Sequence, residues 1–230
     1  MQANRIYFYP YETQELNFNM ALDEVLLDES IEKGTAFFRC YGFSFRSCSI
    51  GYFQAHSFLD PHDESWTRRL TGGGRVDHGE DMVISLSFHR LSGNRSILVL
   101  YRDIHAAIRA VLIKAGIPAE VFKERSQPLV SRNYRCFDAP VEQDLGIEGR
   151  KIAGGALYRR KDWFLYQGSI QTDHDMISVL SGNEMKRQFV DKIGGLSDRL
   201  SEEVLIPEKL KDRARILAGE KYKSIHWKIK

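Results

Sequence analysis

Apolar residues recur along this chain with two different periods. The first run, Ile6-Tyr7-Phe8-Tyr9-Pro10, reads as a short strand ended by proline. From Asn17 to Glu32, Met20, Glu24, Leu27 and Ile31 follow three-and-four spacing, and Gly34 lies just past them, which predicts a helix with a glycine stop. Ala36 to Tyr41 and Ser47 to Phe53 predict neighbouring strands joined by a turn around Gly42. A polar loop with Pro61 spans Ala55 to Ser65, and a strand follows from Val83 to Phe88, with strict alternation at Ile84-Ser85-Leu86-Ser87-Phe88. Ser92-Gly93-Asn94 marks a turn. Ile97 to Ala115 is an amphipathic helix, with Leu100, Ile104, Ile108, Val111 and Leu112 on one face and Gly116-Ile117-Pro118 as its stop. Glu124 to Asn133 reads as a polar loop. Then Asp144-Leu145-Gly146-Ile147, a turn at Glu148-Gly149, Lys151 to Tyr158, a charged turn Arg159-Arg160-Lys161-Asp162 and Trp163 to Ile170 form a run of antiparallel hairpins. From Leu200 onward the chain reads as a charged helical tail with Leu210, Ala214 and Leu217 as its apolar edge. Strands and helices do not alternate regularly. That favours an α+β domain of mostly antiparallel sheet flanked by helices over a doubly wound parallel one.

Composition narrows this further. A chain of 230 residues, 43% hydrophobic, fits one domain, 1–230, with a real core. With 33 basic against 31 acidic residues, the net charge of +2 is no nucleic-acid footprint, so attraction to a charged partner must be local. Cys40, Cys48 and Cys136 fit neither a disulfide framework nor a zinc site, so no metal is expected. No signal-like or membrane-spanning apolar run occurs, which points to a reducing cytoplasm and no membrane association.

The densest chemistry lies in Arg68-Arg69-Leu70-Thr71-Gly72-Gly73-Gly74-Arg75-Val76-Asp77-His78. Three glycines between arginines let a ligand approach main-chain N–H groups with no Cβ in the way. The arginines add fixed charge and planar forks. Three glycines alone fit a hairpin connection equally well. Neither the dinucleotide nor the P-loop spacing is present.

This block resembles R-R-x-[ST]-G-G-[GR]-x-V-x-H, the signature of the lipoate–protein ligase and octanoyltransferase family. Gly149-Arg150-Lys151-Ile152-Ala153-Gly154-Gly155-Ala156 is similar to that family's second signature, G-[RK]-K-[IV]-[AS]-G-[SG]-A. Weaker matches are Asn19-Met20-Ala21-Leu22-Asp23 and Ser49-Ile50-Gly51-Tyr52-Phe53-Gln54, and the likeness covers roughly Asn17 to Ser169. It implies a fold like the biotin protein ligase catalytic domain, and transfer of an octanoyl or lipoyl group to one lysine of a lipoyl domain. The acceptors would be lipoyl domains of 2-oxoacid dehydrogenase E2 components or the glycine cleavage H protein. By the same resemblance Lys151 would hold the acyl carbonyl and stabilise the oxyanion; otherwise it is an exposed strand lysine. Arg68, Arg69, Thr71, Gly72, Gly73 and Gly74 would line the acyl chain and head group, with Ala153, Gly154 and Ala156 leaving room on the facing strand. His78 would touch the ligand or hold the loop by hydrogen bonds.

Two mechanisms share the family. Ligases use ATP and Mg²⁺ and pass through an acyl-adenylate; octanoyltransferases take octanoate from acyl carrier protein with no tightly bound cofactor. Cys136-Phe137-Asp138-Ala139-Pro140 resembles the acyl-accepting segment of the cysteine-dependent transferases, where nearby cationic Lys151 would favour the thiolate. The alternative for Cys136 is a small core residue, as expected of Cys40 and Cys48. Gly79-Glu80-Asp81-Met82-Val83 lacks the Gly-Asn common in ligases, and no accessory domain is expected. Gln167 stands where the family often has histidine, and Arg75 and Asp77 bring charge where many members have none. A non-catalytic paralogue that binds lipoyl domains is therefore a third alternative. Arg159, Arg160 and Lys161 would meet an acidic partner face, or are simply solvated.

Overall fold

The computed structural model describes residues 5–89, 96–124, 134–171, 182 and 200–230. The turn expected at Ser92-Gly93-Asn94, and the polar loop after Glu124 as far as Asn133, lie outside the described residues. In chain order the elements are β1 (Arg5–Gln14), α1 (Leu16–Lys33), β2 (Ala36–Phe43), β3 (Ser47–Ile50), β4 (Trp66–Arg68), β5 (Val76–His78), β6 (Asp81–His89), α2 (Ile97–Lys114), β7 (Glu120–Val121), a 3₁₀ turn (Cys136–Asp138), β8 (Leu145–Ile147), β9 (Arg150–Arg160), β10 (Trp163–Gln171), β11 (Leu200–Glu203), α3 (Glu208–Leu217), a π turn (Ala218–Tyr222) and α4 (Ile225–Lys228).

An eight-stranded sheet runs in the order β11-β1-β2-β6-β10-β9-β8-β7, and a small sheet runs β4-β3-β5. The hairpins make the large sheet antiparallel from β2 to β7. β1 pairs in parallel with β2, because α1 intervenes as the crossover that parallel strands require. The fold is the expected α+β arrangement.

Three expectations are corrected. Pro10 does not end the first strand: β1 runs on to Gln14, with its pairing to β2 shifted between Tyr9 and Glu12. β2 and β3 belong to different sheets, and Gly42 lies inside β2 rather than in a turn. The Tyr11 hydroxyl packs where a Cβ at Gly42 would stand, so the glycine serves close packing. The segment from Leu200 starts with a strand parallel to Arg5–Phe8 before the helices begin. Its charges suit an edge strand, which a purely helical reading of charge does not anticipate.

The helices cover opposite faces. α2 is amphipathic as expected: Leu100, Ile104, Ile108, Val111 and Leu112 are buried, each worth about 1.5–3 kcal/mol in area removed from water. The Ser96 hydroxyl caps it by accepting from the Val99 N–H. α1 ends at Gly34, whose φ of 67° is the left-handed C-cap conformation. Unlike α2, α1 is buried nearly all round, because α3 and the π turn cover the side facing away from the sheet. Its buried Asp23 and Glu24 are therefore partnered. Arg39 donates to Asp23 Oδ1 at 2.9 Å and Tyr41 to Oδ2 at 2.9 Å. Glu24 accepts from Lys221, Tyr222 and Arg160. Arg160 also pairs with Asp28, so this member of the charged turn clamps the hairpin to α1. Among the described residues no helix is long and apolar enough to cross a membrane.

Candidate active site

A narrow, solvent-open cleft lies where the Gly72–Gly74 loop, the end of β5, the Cys136 turn and strands β9 and β10 meet. Met20, Tyr41, Val76 and Val83 give it apolar wall, and Gly72, Gly73, Gly154, Gly155 and Gly168 bring backbone to its surface. That mixture of apolar lining with a few polar groups is typical of small-molecule sites.

Arg69 builds the glycine loop from inside. Its Nη2 donates to the carbonyls of Gly72 (2.6 Å) and Gly74 (2.8 Å), and Nη1 donates to the Ser49 carbonyl and hydroxyl at 3.2 and 3.1 Å. Gly73 has a φ of +91°, a conformation that disfavours other residues. Gly74 is packed against Tyr134, which leaves no space for a Cβ. That contact ties the loop to the cysteine turn. Arg75 N–H donates to the Tyr134 carbonyl and Cys136 N–H to the Arg75 carbonyl, at 3.1 and 2.8 Å.

His78 lines the cleft with both ring nitrogens committed. Asp81 Oδ2 accepts a hydrogen bond from Nδ1 at 2.8 Å, and the Ser49 hydroxyl lies 2.8 Å from Nε2. Phe43 stacks on the ring at 4.1 Å. Burial acts to raise the Asp81 carboxyl, but the His78 ring, the Ser169 hydroxyl and the Gly79 N–H outweigh it and hold the group below its ordinary value. His78 thus meets the hydrogen-bonding half of its expectation through Ser49, which also takes the Arg69 guanidinium, and its ring lines the cleft as ligand contact requires.

Cys136 is half-buried and lines the cleft. Lys151, on β9, lies behind it. Its Nζ is 3.4 Å from Cys136 Sγ, 3.0 Å from the Cys136 carbonyl and 2.7 Å from Asp144 Oδ2. Asp144 is fully buried and also accepts from Tyr101 Oη at 2.6 Å and Val141 N–H at 2.8 Å. A buried ammonium is tolerable only with such a partner. The Gly154 Cα faces this pair: a Cβ there would fall 2.6 Å from Nζ and 2.9 Å from Asp144 Oδ1. So Gly154 is needed to seat Lys151. The other cysteines differ. Cys40 is buried, and burial pushes Cys48 up to about 11, which keeps it a thiol.

A second buried network supports the cleft. The Thr71 hydroxyl donates to Gln167 Oε1 at 2.9 Å, and Gln167 Nε2 donates to Asp23 Oδ2 at 2.7 Å. This joins the glycine loop to β10 and α1. On the opposite face the His105 Nδ1–H bonds the Gln143 carbonyl and Nε2 accepts from Tyr166, whose ring fills the space beside Gly155 and Gly168. Burial lowers His105 to about 4, so it is a neutral structural ring.

Arg69, Gly72, Gly73, His78, Cys136, Gly154 and Ala156 thus line one cleft. Thr71, Gly74, Ala153 and Lys151 lie behind its surface. Arg68 departs from its expected role. It is fully buried and its guanidinium is spent on the carbonyls of Gly51, Tyr52, Gln54 and Lys228. Sequence reasoning missed Asp144, Ser49 and Ser169. The sequence did not single out Asp144: Glu148 stands nearer to Lys151 along the chain, and only the fold shows that Lys151 is buried and needs a carboxylate. Among the described residues no cluster of three or more His, Cys, Asp or Glu is placed to hold a metal ion.

The signature of the lipoyl protein ligase A/B catalytic domain matches residues 15–206. The octanoyltransferase LipM of Geobacillus kaustophilus is 34% identical over 214 residues, covering 83% of this chain and 77% of that protein. The octanoyltransferase LipM of Bacillus anthracis is 30% identical, covering 93% of this chain and 94% of its own. A crystal structure of lipoate-protein ligase A bound with ATP superimposes with a TM-score of 0.70 at 23% identity, covering 100% of this chain and 99% of that one. A bipartite lipoate protein ligase from Thermoplasma acidophilum, studied with its E2 lipoyl domain, gives 0.69 at 22% identity, covering 100% and 97%. With the two motifs, the fold and these relatives agreeing, the chain is a member of the lipoyl protein ligase A/B catalytic domain family.

Proposed function

We propose that this protein is an octanoyltransferase: it takes an octanoyl group from acyl carrier protein onto Cys136 and passes it to a lysine of a lipoyl domain. Supporting it are relatives that bear the name octanoyltransferase LipM. The single observation that carries the covalent route is the Lys151 ammonium 3.4 Å from a cleft-lining Cys136 Sγ. The thiolate attacks the donor thioester carbonyl, a C–S bond forms, and the tetrahedral oxyanion collapses by expelling the donor thiolate, which takes up a proton. The lipoyl-domain ε-amine then attacks the Cys136 thioester. An amide forms, and the sulfur leaves with the amine's proton.

Lys151 has three N–H groups, directed to Asp144, the Cys136 carbonyl and Sγ. The one spent on Sγ in the free protein is the one released to the acyl oxygen once the sulfur carries the acyl group. Stabilisation of that developing charge by a fixed donor is worth on the order of 10²–10³ in rate. The acceptors would be E2 lipoyl domains or the glycine cleavage H protein, and no tightly bound cofactor is required.

The test is transfer from octanoyl-acyl carrier protein to an isolated lipoyl domain, with and without ATP and Mg²⁺, using wild type and Cys136→Ser. Equal rates without ATP and loss in Cys136→Ser are expected. Transfer that depends on ATP, lipoate and Mg²⁺ would replace this account with the ligase mechanism, and binding without turnover would replace it with a lipoyl-domain-binding role.

A further inference from the structure

We infer that Arg68 and the segment from Tyr222 to Lys228 form a positioning clamp that sets both halves of the cleft, although neither touches it. The inference rests on the proposed transferase reading for its activity readout, and on geometry for the rest. Arg68 Nη1 donates to the carbonyls of Gly51, Tyr52 and Gln54 at 2.9, 3.0 and 2.8 Å. Its Nε and Nη2 donate to the Lys228 carbonyl at 3.1 and 2.8 Å. The segment grips back. Trp227 Nε1–H donates to the Arg68 carbonyl at 2.8 Å, and the neighbouring Thr67 hydroxyl donates to the Tyr222 carbonyl at 2.7 Å. The Lys228 side chain is 1% exposed and donates to the carbonyls of Pro61 and Asp63. The segment is thus sewn to β4 and to the loop that follows β3.

What the clamp holds is the back of the cleft. Gly51 packs directly on the Gly73 carbonyl, with no space for a Cβ. Tyr52 N–H donates to the Thr71 carbonyl at 2.9 Å. Gln54 Nε2 donates to the Tyr134 carbonyl at 2.9 Å, two residues ahead of Cys136. The 51–54 turn therefore touches the glycine loop on one side and the cysteine segment on the other, and Arg68 fixes that turn by its carbonyls. Five donors in a planar fork are what such multiple carbonyl capture needs; a lysine offers neither the count nor the plane. The clamp residues beyond 206 lie outside the family signature match, which ends there.

The experiment compares wild type with Arg68→Lys, Trp227→Phe and a chain ending at Lys223, plus Ile229→Ser, at an exposed position, as control. Trp227→Phe keeps an aromatic ring, smaller than the indole, and removes the N–H directed to Arg68. Three quantities are read: thermal unfolding, the rate of iodoacetamide alkylation at Cys136, and octanoyl transfer at saturating donor. Cys40 and Cys48 are buried, so native alkylation reports Cys136. Alkylation needs no assumption about function. Below the unfolding transition, Arg68→Lys and Trp227→Phe should change alkylation at least fivefold. They should lower maximal transfer about 10²-fold, the cost of ångström-scale misplacement, with donor KM altered less. In the shortened chain, a millimolar peptide of residues 224–230 should restore both. Folded Arg68→Lys and Trp227→Phe proteins with alkylation and transfer within twofold of wild type would overturn the clamp, even if the shortened chain failed to fold. Altered alkylation in a protein whose wild type transfers nothing would keep the clamp and sink the transferase function instead.

Discussion

Replacing Lys151 with methionine removes its charge and N–H groups while keeping a long unbranched side chain in place. Asp144 then remains as a carboxylate with 0% side-chain exposure, accepting from Tyr101 and Val141 but with no counter-charge. At 2.7 Å separation and an effective dielectric near 20, the lost attraction is about 6 kcal/mol, and stranding one partner of a buried pair costs about 3–5 kcal/mol net. Against a typical domain stability of about 5–15 kcal/mol this is a large share. Inactivity of Lys151→Met by itself would not separate chemistry from folding. The double variant Lys151→Met/Asp144→Asn does. Removing the stranded charge should return urea stability to within about 1–2 kcal/mol of wild type, while transfer stays about 10²–10³-fold down. Linear extrapolation from urea melts measures the first quantity, and the lipoyl-domain assay the second. A single variant within about 1 kcal/mol of wild type would refute the stranded-charge reasoning, which rests on the buried-pair range. A double variant that transfers normally would refute the chemical role of Lys151.

Further outcomes follow from the same geometry. Gly154→Ala places a methyl 2.6 Å from Lys151 Nζ, so Nζ must leave Cys136 or Asp144. Transfer should fall about 10²-fold, and unchanged kinetics would show that Lys151 seating is irrelevant. Gly73→Ala combines a φ of +91° with a methyl 2.9 Å from Arg69 Nη2, which should raise donor KM more than it lowers kcat; the opposite split in steady-state kinetics would count against a binding role for the loop. His105 is held near 4 when folded against an ordinary 6.5. Its neutral form is therefore favoured by folding, and stability is full above about pH 6.5 and falls toward pH 4 by on the order of 3 kcal/mol. The depressed Asp81 adds a further loss below the ordinary carboxylate range, as pH falls through its folded value. Urea midpoints from pH 7.5 to 4.5 that do not decline, or that decline equally in His105→Gln, would contradict the His105 assignment.

The local periods carried α2, the β8–β9–β10 hairpins and the Gly34 cap, because those elements are specified by residues within a few positions of one another. The two motifs likewise located Gly72, Gly73, Gly154, Gly155 and Lys151, and the separate Cys136–Pro140 segment located the cysteine. What the sequence hid are pairings over long separations. Ser47–Ile50 has the pattern of a strand beside β2, but β1 and β6 occupy both edges of β2, and Ser47–Ile50 pairs instead with Trp66–Arg68 and Val76–His78. Charge in the segment from Leu200 looked helical because an edge strand and a helix surface tolerate the same residues. Arg68 and Arg69 are adjacent in one motif and read alike. They separate only in three dimensions, one bracing the glycine loop and the other reaching 160 residues along the chain to the Lys228 carbonyl. Gln167 likewise looked like a departure from a family pattern, and its link from Thr71 to Asp23 gives it a definite task.

The most direct test of the central claim is the mass of the intact protein after incubation with octanoyl-acyl carrier protein in the absence of ATP. An octanoyl adduct on wild type that hydroxylamine removes, that is missing in Cys136→Ser, and that disappears on adding a lipoyl domain as the domain gains the same mass is the predicted result. Transfer to the lipoyl domain with no adduct at any time point and full activity in Cys136→Ser would contradict the covalent route through Cys136.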